Sequence, residues 1–272
     1  MNLSLGQYFP GNSILHRADP RVKIILSMSF MILAFIAGSF YEFAVLITFA
    51  FASIAATKIP LRVVLRSIKP ILPLILFASI INIFLIPGES FFRLWIIAPS
   101  REGLATALKL TARISLVILG GSSFMIFTTT PIMLTDGVES LLNPLKRFRV
   151  PAHELAMMMT IALRFIPTLI GEADKIMRAQ ASRGADFNEG NLLDRARSFI
   201  PIIIPLFISA FRRSDELANA MEARCYRGGE GRTKLRQLRM TALDAGLLAF
   251  FTVFTGIFFI ERLLSGFILK LF

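Results

Sequence analysis

Between Lys23 and Lys58 the chain reads IILSMSFMILAFIAGSFYEFAVLITFAFASIAAT, an uninterrupted apolar run in which Glu42 is the only charge. As one helix at ~1.5 Å per residue this stretch would be about 51 Å long, against a membrane hydrocarbon core of ~30 Å. One crossing cannot hold it. Gly38, Ser39 and Glu42 supply a turn, so two short helices are expected, at residues 22–40 and 42–58, crossing a bilayer and returning.

Three further stretches have the same character. Pro70–Gly88 is uncharged and carries Pro70 and Pro73 at its start, where a missing N–H is least costly. Ile114–Thr135 is the fourth. The fifth, Ala245–Ile260, is bounded by Asp244 and Glu261, falls short of a full crossing, and must borrow Leu243 or snorkelling flanks. The expected fold is therefore all-α and polytopic, with about five transmembrane helices. Residues 1–130 hold four of them, 131–240 form a long cytoplasmic helical insert, and 241–272 hold the last. Lys109 and Arg113 are awkward in this scheme, because a fourth helix starting near Gly103 would carry them into the membrane; either that helix protrudes or snorkels, or, as the lesser alternative, they are intramembrane charges of functional value.

Composition supports the membrane reading. The 272 residues are 55% hydrophobic and 18% charged, with mean hydropathy +0.67, where a soluble domain carries about a quarter charged residues. Twenty-six Phe against one Trp and three Tyr suit a lipid- or core-facing aromatic set. A single cysteine, Cys225, excludes an intramolecular disulfide framework or a cysteine metal cage. His16 is isolated and His153-Glu154 lacks a second His four residues on, so neither zinc nor a catalytic site is supported. No Gly-x-x-x-x-Gly-Lys-Ser/Thr occurs; the chain has no phosphate cradle and is not expected to hydrolyse ATP. Met1–Arg17 shows no cationic region leading into an apolar core, so no removable signal peptide is expected.

The net charge of +12 sets the orientation. Arg17, Arg21 and Lys23 precede the first span, and Lys58, Arg62, Arg66 and Lys69 follow the second without an acid, which places both ends of that hairpin, and the N-terminus, in the cytoplasm. The loop at 39–42 has no base, and that at 89–103 balances Arg93 and Arg101 with Glu89 and Glu102; both are expected outside. No aromatic-interleaved basic face suggests nucleic acid, whereas contact with anionic lipid follows from the charge. Asp19-Pro20 reads as a helix N-cap and first-turn proline, with the neighbouring bases as topology anchors. Asn82 is expected to hydrogen-bond between helices.

The insert carries the functional signal. Ile132–Leu145 is an amphipathic segment closed by Asn143-Pro144. Ala152–Arg183 reads as a long helix interrupted by Pro167, and Leu192–Arg227 as a second, bent at Pro201 and Pro205. Within it the uncharged run Ser198–Phe211 is too short to span and suits a buried or interfacial helix. Asp174, Ile176, Ala179 and Arg183 recur at one constant offset as Asp215, Leu217, Ala220 and Arg224. Gly184 follows the first arginine and Gly228-Gly229 the second, so both arginines fall near helix C-termini. Two readings of them stand. Each is a cap favoured by the helix dipole, or each is a planar fork of donors, left open by small neighbours, for a partner's carboxylate or carbonyls.

With these motifs on the page, the sequence resembles the transmembrane T component of energy-coupling factor transporters. The resemblance rests on Ser13-Ile14-Leu15-His16-Arg17-Ala18-Asp19-Pro20-Arg21-Val22-Lys23, on Thr128-Thr129-Thr130-Pro131, on Leu163-Arg164-Phe165-Ile166-Pro167, and above all on two arginine motifs. The family pattern is Ala-Arg-Gly. Here it stands as Ser182-Arg183-Gly184 and Ala223-Arg224-Cys225, departing at Ser182 and at Cys225.

The resemblance implies a non-catalytic scaffold in the cell membrane of a prokaryote. Its two coupling helices would end at Arg183 and Arg224, each entering a groove on one of two ATPase subunits, identical or different. ATP and Mg belong to those partners, and no cofactor belongs to this chain. A separate substrate-binding membrane subunit would take up a vitamin or transition-metal ion. Met157, Met158 and Met159, with the run Ile202–Ile204 centred on Ile203, read either as helix packing or as an adaptable face that docks that subunit. The alternative is a channel or secondary carrier acting alone, which would move solute without any ATPase.

Overall fold

The computed structural model describes residues 8–87, 100–148, 151–185, 187, 191–228 and 238–271, and is built of helices with no strand among them. The all-α polytopic architecture is as expected. Along the chain come α1 (Ile14–Arg17), α2 (Pro20–Ile36), α3 (Phe40–Thr57), α4 (Leu61–Arg66), α5 (Leu72–Leu85), α6 (Arg101–Gly121), α7 (Pro131–Leu142), α8 (Ala152–Ser182), α9 (Leu192–Ala223) and α10 (Ala242–Leu271). They fall into two compact units, residues 1–141 with 237–272, and residues 142–236.

The apolar run between Lys23 and Lys58 breaks where its turn residues stand. The Glu42 carboxylate accepts from the amides of Gly38 and Ser39 at 2.6 and 3.1 Å, closing the N-terminus of α3 one turn after α2 has ended. At the other end of α2, Asp19 is the N-cap, its side chain accepting from the Arg21 amide at 2.9 Å, and Pro20 opens the first turn.

Several boundaries differ from the expected spans. The fourth helix begins at Arg101 rather than Ile114, because the Ser100 side chain caps it by accepting from the Gly103 amide at 2.9 Å. It continues as a π turn over Ser122–Ile126 and is over before Thr135, which belongs to α7. The last helix is longer than the expected Ala245–Ile260 and runs through Glu261 and Arg262. Among the described residues four helical stretches are long and apolar enough to cross a membrane: Phe40–Thr57, Arg101–Ile126, Ala152–Ser182 and Ala242–Leu263. Of these, Ala152–Ser182 was not among the five expected, while α2 has 17 residues and α5 only 14. The loop bearing Glu89 and Arg93 lies outside the described residues.

Lys109 and Arg113 acquire roles from the earlier start of α6. Arg113 donates to the carbonyls of Ala34 and Ala37, at 3.3 and 2.6 Å, and Arg262 of α10 donates to Ile36 O at 2.6 Å. These are the terminal carbonyls of α2, which have no partner within their own helix. Lys109 sits 5.1 Å over the Phe40 ring and Arg113 5.8 Å over Phe43. Both cations thus close the α2–α3 turn. Asn82 does not bridge helices; its amide returns to Ala78 O one turn back at 2.8 Å, and the α5–α6 bond is Ser79 to Thr111 at 2.9 Å.

The first unit packs around Phe49. Its ring lies 4.2 Å from Phe254, 5.7 Å from Phe251, 5.8 Å from Phe30 and 6.2 Å from Phe124, so α2, α3, the π turn and α10 meet at one aromatic cluster. The Phe30 ring lies against Gly120, where a side chain's first carbon would overlap Cδ1 and Cε1, whereas Gly121 faces open space. Gly120→Ala is therefore expected to destabilise the protein in detergent by about 1–3 kcal/mol through overpacking, seen as a lower thermal midpoint. Gly121→Ala should leave it unchanged or raise it, because alanine is the better helix former; equal midpoints for the two variants would refute the packing.

Candidate functional site

The second unit presents its two long helices with matching ends. α8 stops at Ser182, and the backbone beyond Arg183 turns left-handed at Gly184, φ 89°. The Gly184 amide bonds Ala181 O at 3.0 Å and the Ala185 amide bonds Gln180 O at 3.0 Å. α9 stops at Ala223, and the turn beyond Arg224 is made by Cys225, φ 55°. The Cys225 amide bonds Glu222 O at 2.8 Å and the Tyr226 amide bonds Met221 O at 3.1 Å. Each end is the same pair of overlapping bonds, which satisfies the last carbonyls and fixes the arginine at the tip.

This corrects one expectation. The stop after Arg224 is Cys225 itself, not Gly228-Gly229; Gly228 takes a positive φ of 86° only three residues later, and Gly229 lies outside the described residues. A small side chain tolerates the left-handed turn at some cost, and so α9 is closed at this point without a glycine.

Ser182, Arg183, Gly184, Ala223, Arg224 and Cys225 are all exposed. Among the described residues neither guanidinium has a hydrogen-bond or ion-pair partner. Both ends therefore present five unengaged N–H donors on a fixed stem.

The two rods are tied together at equivalent places. Glu172 accepts from Ser209 Oγ at 2.6 Å and from Arg213 Nη2 at 3.2 Å. Glu172 and Arg213 are 41 residues apart, the offset that relates the two arginine motifs. Each partner of the tie stands eleven residues before its own tip arginine, so the two arms beyond it are equal, about 16 Å at ~1.5 Å per residue. The Ser209 hydroxyl, with Arg213 beside it, holds the Glu172 carboxyl below the usual carboxylate range. With Glu172, Asp174, Lys175 and Arg178 this half of α8 is too charged for hydrocarbon. The sequence carried a signal for the tie, since the offset that pairs the arginines also aligns Glu172 with Arg213.

The methionine and isoleucine stripe is only partly open. Met158, Met159, Ile203 and Ile204 are exposed, Met158 at 54% and Ile203 at 57%, while Met157 is half-buried and Ile202 is buried. The exposed face extends through Phe207, Ile208 and Phe211, beyond the residues singled out from sequence.

Among the described residues the first unit holds one apolar cavity that bears on cargo. A cavity of about 270 Å³ beside Phe49 is lined by apolar side chains such as Leu26, Phe124 and Leu247; its one lining hydroxyl, Ser53, already donates to Ala50 O. Among the described residues no three His, Cys, Asp or Glu side chains gather as metal ligands.

Comparison with known proteins bears on these features. Residues 11–235 match the CbiQ family, described as cobalt transport protein. A relative from Ruminiclostridium cellulolyticum, named energy-coupling factor transporter transmembrane protein EcfT, is 53% identical over 253 residues, 93% of this chain and 94% of the relative. Its namesake from Thermosediminibacter oceani is 48% identical over 266 residues, 98% of each chain. That from Bacillus subtilis is 41% identical over 262 residues, covering 96% of this chain and 98% of the relative.

The two helix ends differ in one testable respect. Cys225→Gly should relieve a left-handed backbone and stabilise the α9 terminus by about 1 kcal/mol, seen as slower exchange of the amides at position 225 and at Tyr226 than in the wild type. Gly184→Ala should do the reverse at the α8 terminus, by more than about 1 kcal/mol. Unchanged exchange in both would contradict the paired terminations.

Proposed function

We propose a function from one premise: the chain belongs to the CbiQ family, whose relatives are named transmembrane proteins of energy-coupling factor transporters. It is a membrane component of a transporter that works with other subunits. Within that complex it acts as the coupling scaffold. Arg183 and Arg224, with Ser182, Gly184, Ala223 and Cys225 around them, each insert into a groove on one ATPase subunit. The ATPases bind ATP and Mg and perform the hydrolysis, and this chain performs no chemistry.

The observation that carries the reading is the matched pair of arginine tips on arms of equal length, joined at Glu172. Two motors that close on nucleotide need two points of purchase at a fixed separation. Long helices with closed backbone ends supply stiffness, and the tie keeps the arms from moving independently. A guanidinium fork suits a carboxylate or a pair of carbonyls in a groove better than an ammonium would.

The exposed apolar face of α8 and α9 then docks the substrate-binding membrane subunit. Methionine adapts to a partner that tilts during the cycle, and Met158, Met159, Ile203 and Phe207 leave such a face open. The cargo, a vitamin or a transition-metal ion, is selected by that subunit; the apolar lining of the cavity beside Phe49 agrees with this division of labour.

The chain lies in the cell membrane with its N-terminus and its second unit cytoplasmic. Arg17, Arg21, Lys58, Arg62, Arg66 and Lys69 favour that orientation. α8 meets the length of a span, but its charged second half and its membership of the second unit argue for keeping it out of the bilayer.

Two experiments follow. Arg183→Glu combined with Arg224→Glu should leave the protein inserted in the membrane but remove the ATPases from a pull-down. Each single change should weaken one contact by roughly 2–5 kcal/mol. ATPases retained at wild-type levels by the double variant would remove the tips from the interface. Separately, Met158→Asp or Ile203→Asp should release the substrate-binding subunit while the ATPases stay bound. Undiminished recovery of that subunit would place its dock elsewhere.

A further inference from the structure

The second unit is an insertion: the chain leaves the first unit after residue 141 and returns at residue 237. Within the first unit, the outgoing and returning segments are fastened at one place, the N-terminal end of α2. On the outgoing side, the Lys23 ammonium donates to Thr128 O at 2.9 Å, three residues before Pro131 opens α7. α7 itself lies so close on α2 that a side chain at Gly137 would stand 3.0 Å from Pro20 Cβ and 3.1 Å from Ile24 Cδ1. On the returning side, Asp244 Oδ2 accepts from the amide and hydroxyl of Thr241, at 2.8 and 2.7 Å. Its other oxygen, Oδ1, accepts from the Asp19 amide at 2.7 Å.

The charged residues of this joint are almost dry, while Thr241 at its edge is exposed. Lys23 and Asp244 are each 1% exposed and Asp19 is 5% exposed. Lys23 also donates to His16 O at 3.2 Å. Burying charged groups together gains little stability over apolar side chains of the same size, which would fill the space at lower desolvation cost. What a polar cluster supplies and an apolar one does not is register: each donor meets a particular carbonyl or carboxylate, and a slip of one residue breaks the set.

We propose that Asp19, Lys23 and Asp244, with the close seat of α7 at Gly137, are positioning residues for energy coupling. They clamp both connections of the inserted unit to α2, so that a displacement of that unit reaches α2 and α10 as one movement instead of being absorbed in the connections. This rests on the reading of the chain as a coupling subunit. None of these residues touches the ATPases or the cargo in that reading.

The test uses the full transporter, with both ATPases and a substrate-binding subunit, reconstituted in proteoliposomes. Uptake of labelled substrate and release of phosphate are measured in the same vesicles. For Lys23→Met and Asp244→Asn, hydrolysis should stay within about twofold of wild type while uptake per ATP falls about tenfold. Thr241→Val should lower that ratio in the same direction, and Thr241→Ser, which keeps the hydroxyl, should restore it. If the Lys23 and Asp244 variants yield no complex, the Thr241 pair decides the matter, because it leaves all three charges in place. Uptake and hydrolysis that fall in proportion, or a wild-type ratio in every variant, would overturn the proposal. A wild-type complex that hydrolyses ATP without driving uptake would instead sink the coupling reading, and this inference with it.

Discussion

A helix end leaves amides and carbonyls with no partner in their own helix, and each one shut away from water and left unpaired costs several kcal/mol. α2 is the element on which that constraint falls hardest, because at 17 residues it is short for a bilayer and both of its ends are held by other helices. One end is closed by Arg113 of α6 and Arg262 of α10 on the carbonyls of Ala34, Ile36 and Ala37. The other is closed by Asp19 on the Arg21 amide and by Asp244 of α10 on the Asp19 amide, while Lys23 in its first turn reaches out to Thr128 O. Satisfying α2 therefore draws α6 and α10 onto it from both sides, and the Phe49 cluster fills the space between.

The same economy governs the second unit. Two helices of 31 and 32 residues run to the same kind of left-handed stop, and the bonds that satisfy their last carbonyls are the bonds that set the arginines at their tips. Termination and presentation are one structural act. Glu172 adds the third point, joining Ser209 and Arg213 of α9 to α8. The exposed apolar residues on these helices, Met158, Ile203 and Phe207 among them, are unusual for a water-facing surface.

Much of this was legible beforehand. An apolar run as long as that from Ile24 to Thr57, with a Gly-Ser turn inside it, must fold back, because hydrocarbon thickness and helix rise leave no other solution. Asp19-Pro20 could be read as a helix start because the short carboxylate and the fixed proline φ act locally. Arg183 and Arg224 could be paired because both the arginines and the aspartates nine residues before them recur at one offset. What stayed hidden shares a cause. The contacts of Arg113 and Lys109 at the α2–α3 turn, the bond from Lys23 to Thr128 O and the return of Asn82 to Ala78 O, where an interhelical bond was expected, each depend on a group supplied by residues remote from the motif or one turn away. Cys225 escaped notice as a helix stop because the rule that looks for glycine finds Gly228-Gly229 first.

By itself the sequence determined that the chain is helical, that it folds into a membrane, and that two arginines end two related helices; all three follow from interactions within a few turns of one segment. Only the tertiary structure decided which carbonyls Lys23, Arg113 and Arg262 complete, that Glu172 ties the rods at matched positions, and that both connections of the insertion converge on α2. Those facts rest on hydrogen bonds between residues as far apart as 19 and 244 or 36 and 262. Hydropathy and spacing carry no record of a partner that distant, because a donor's geometry is completed only when packing brings its acceptor within about 3 Å.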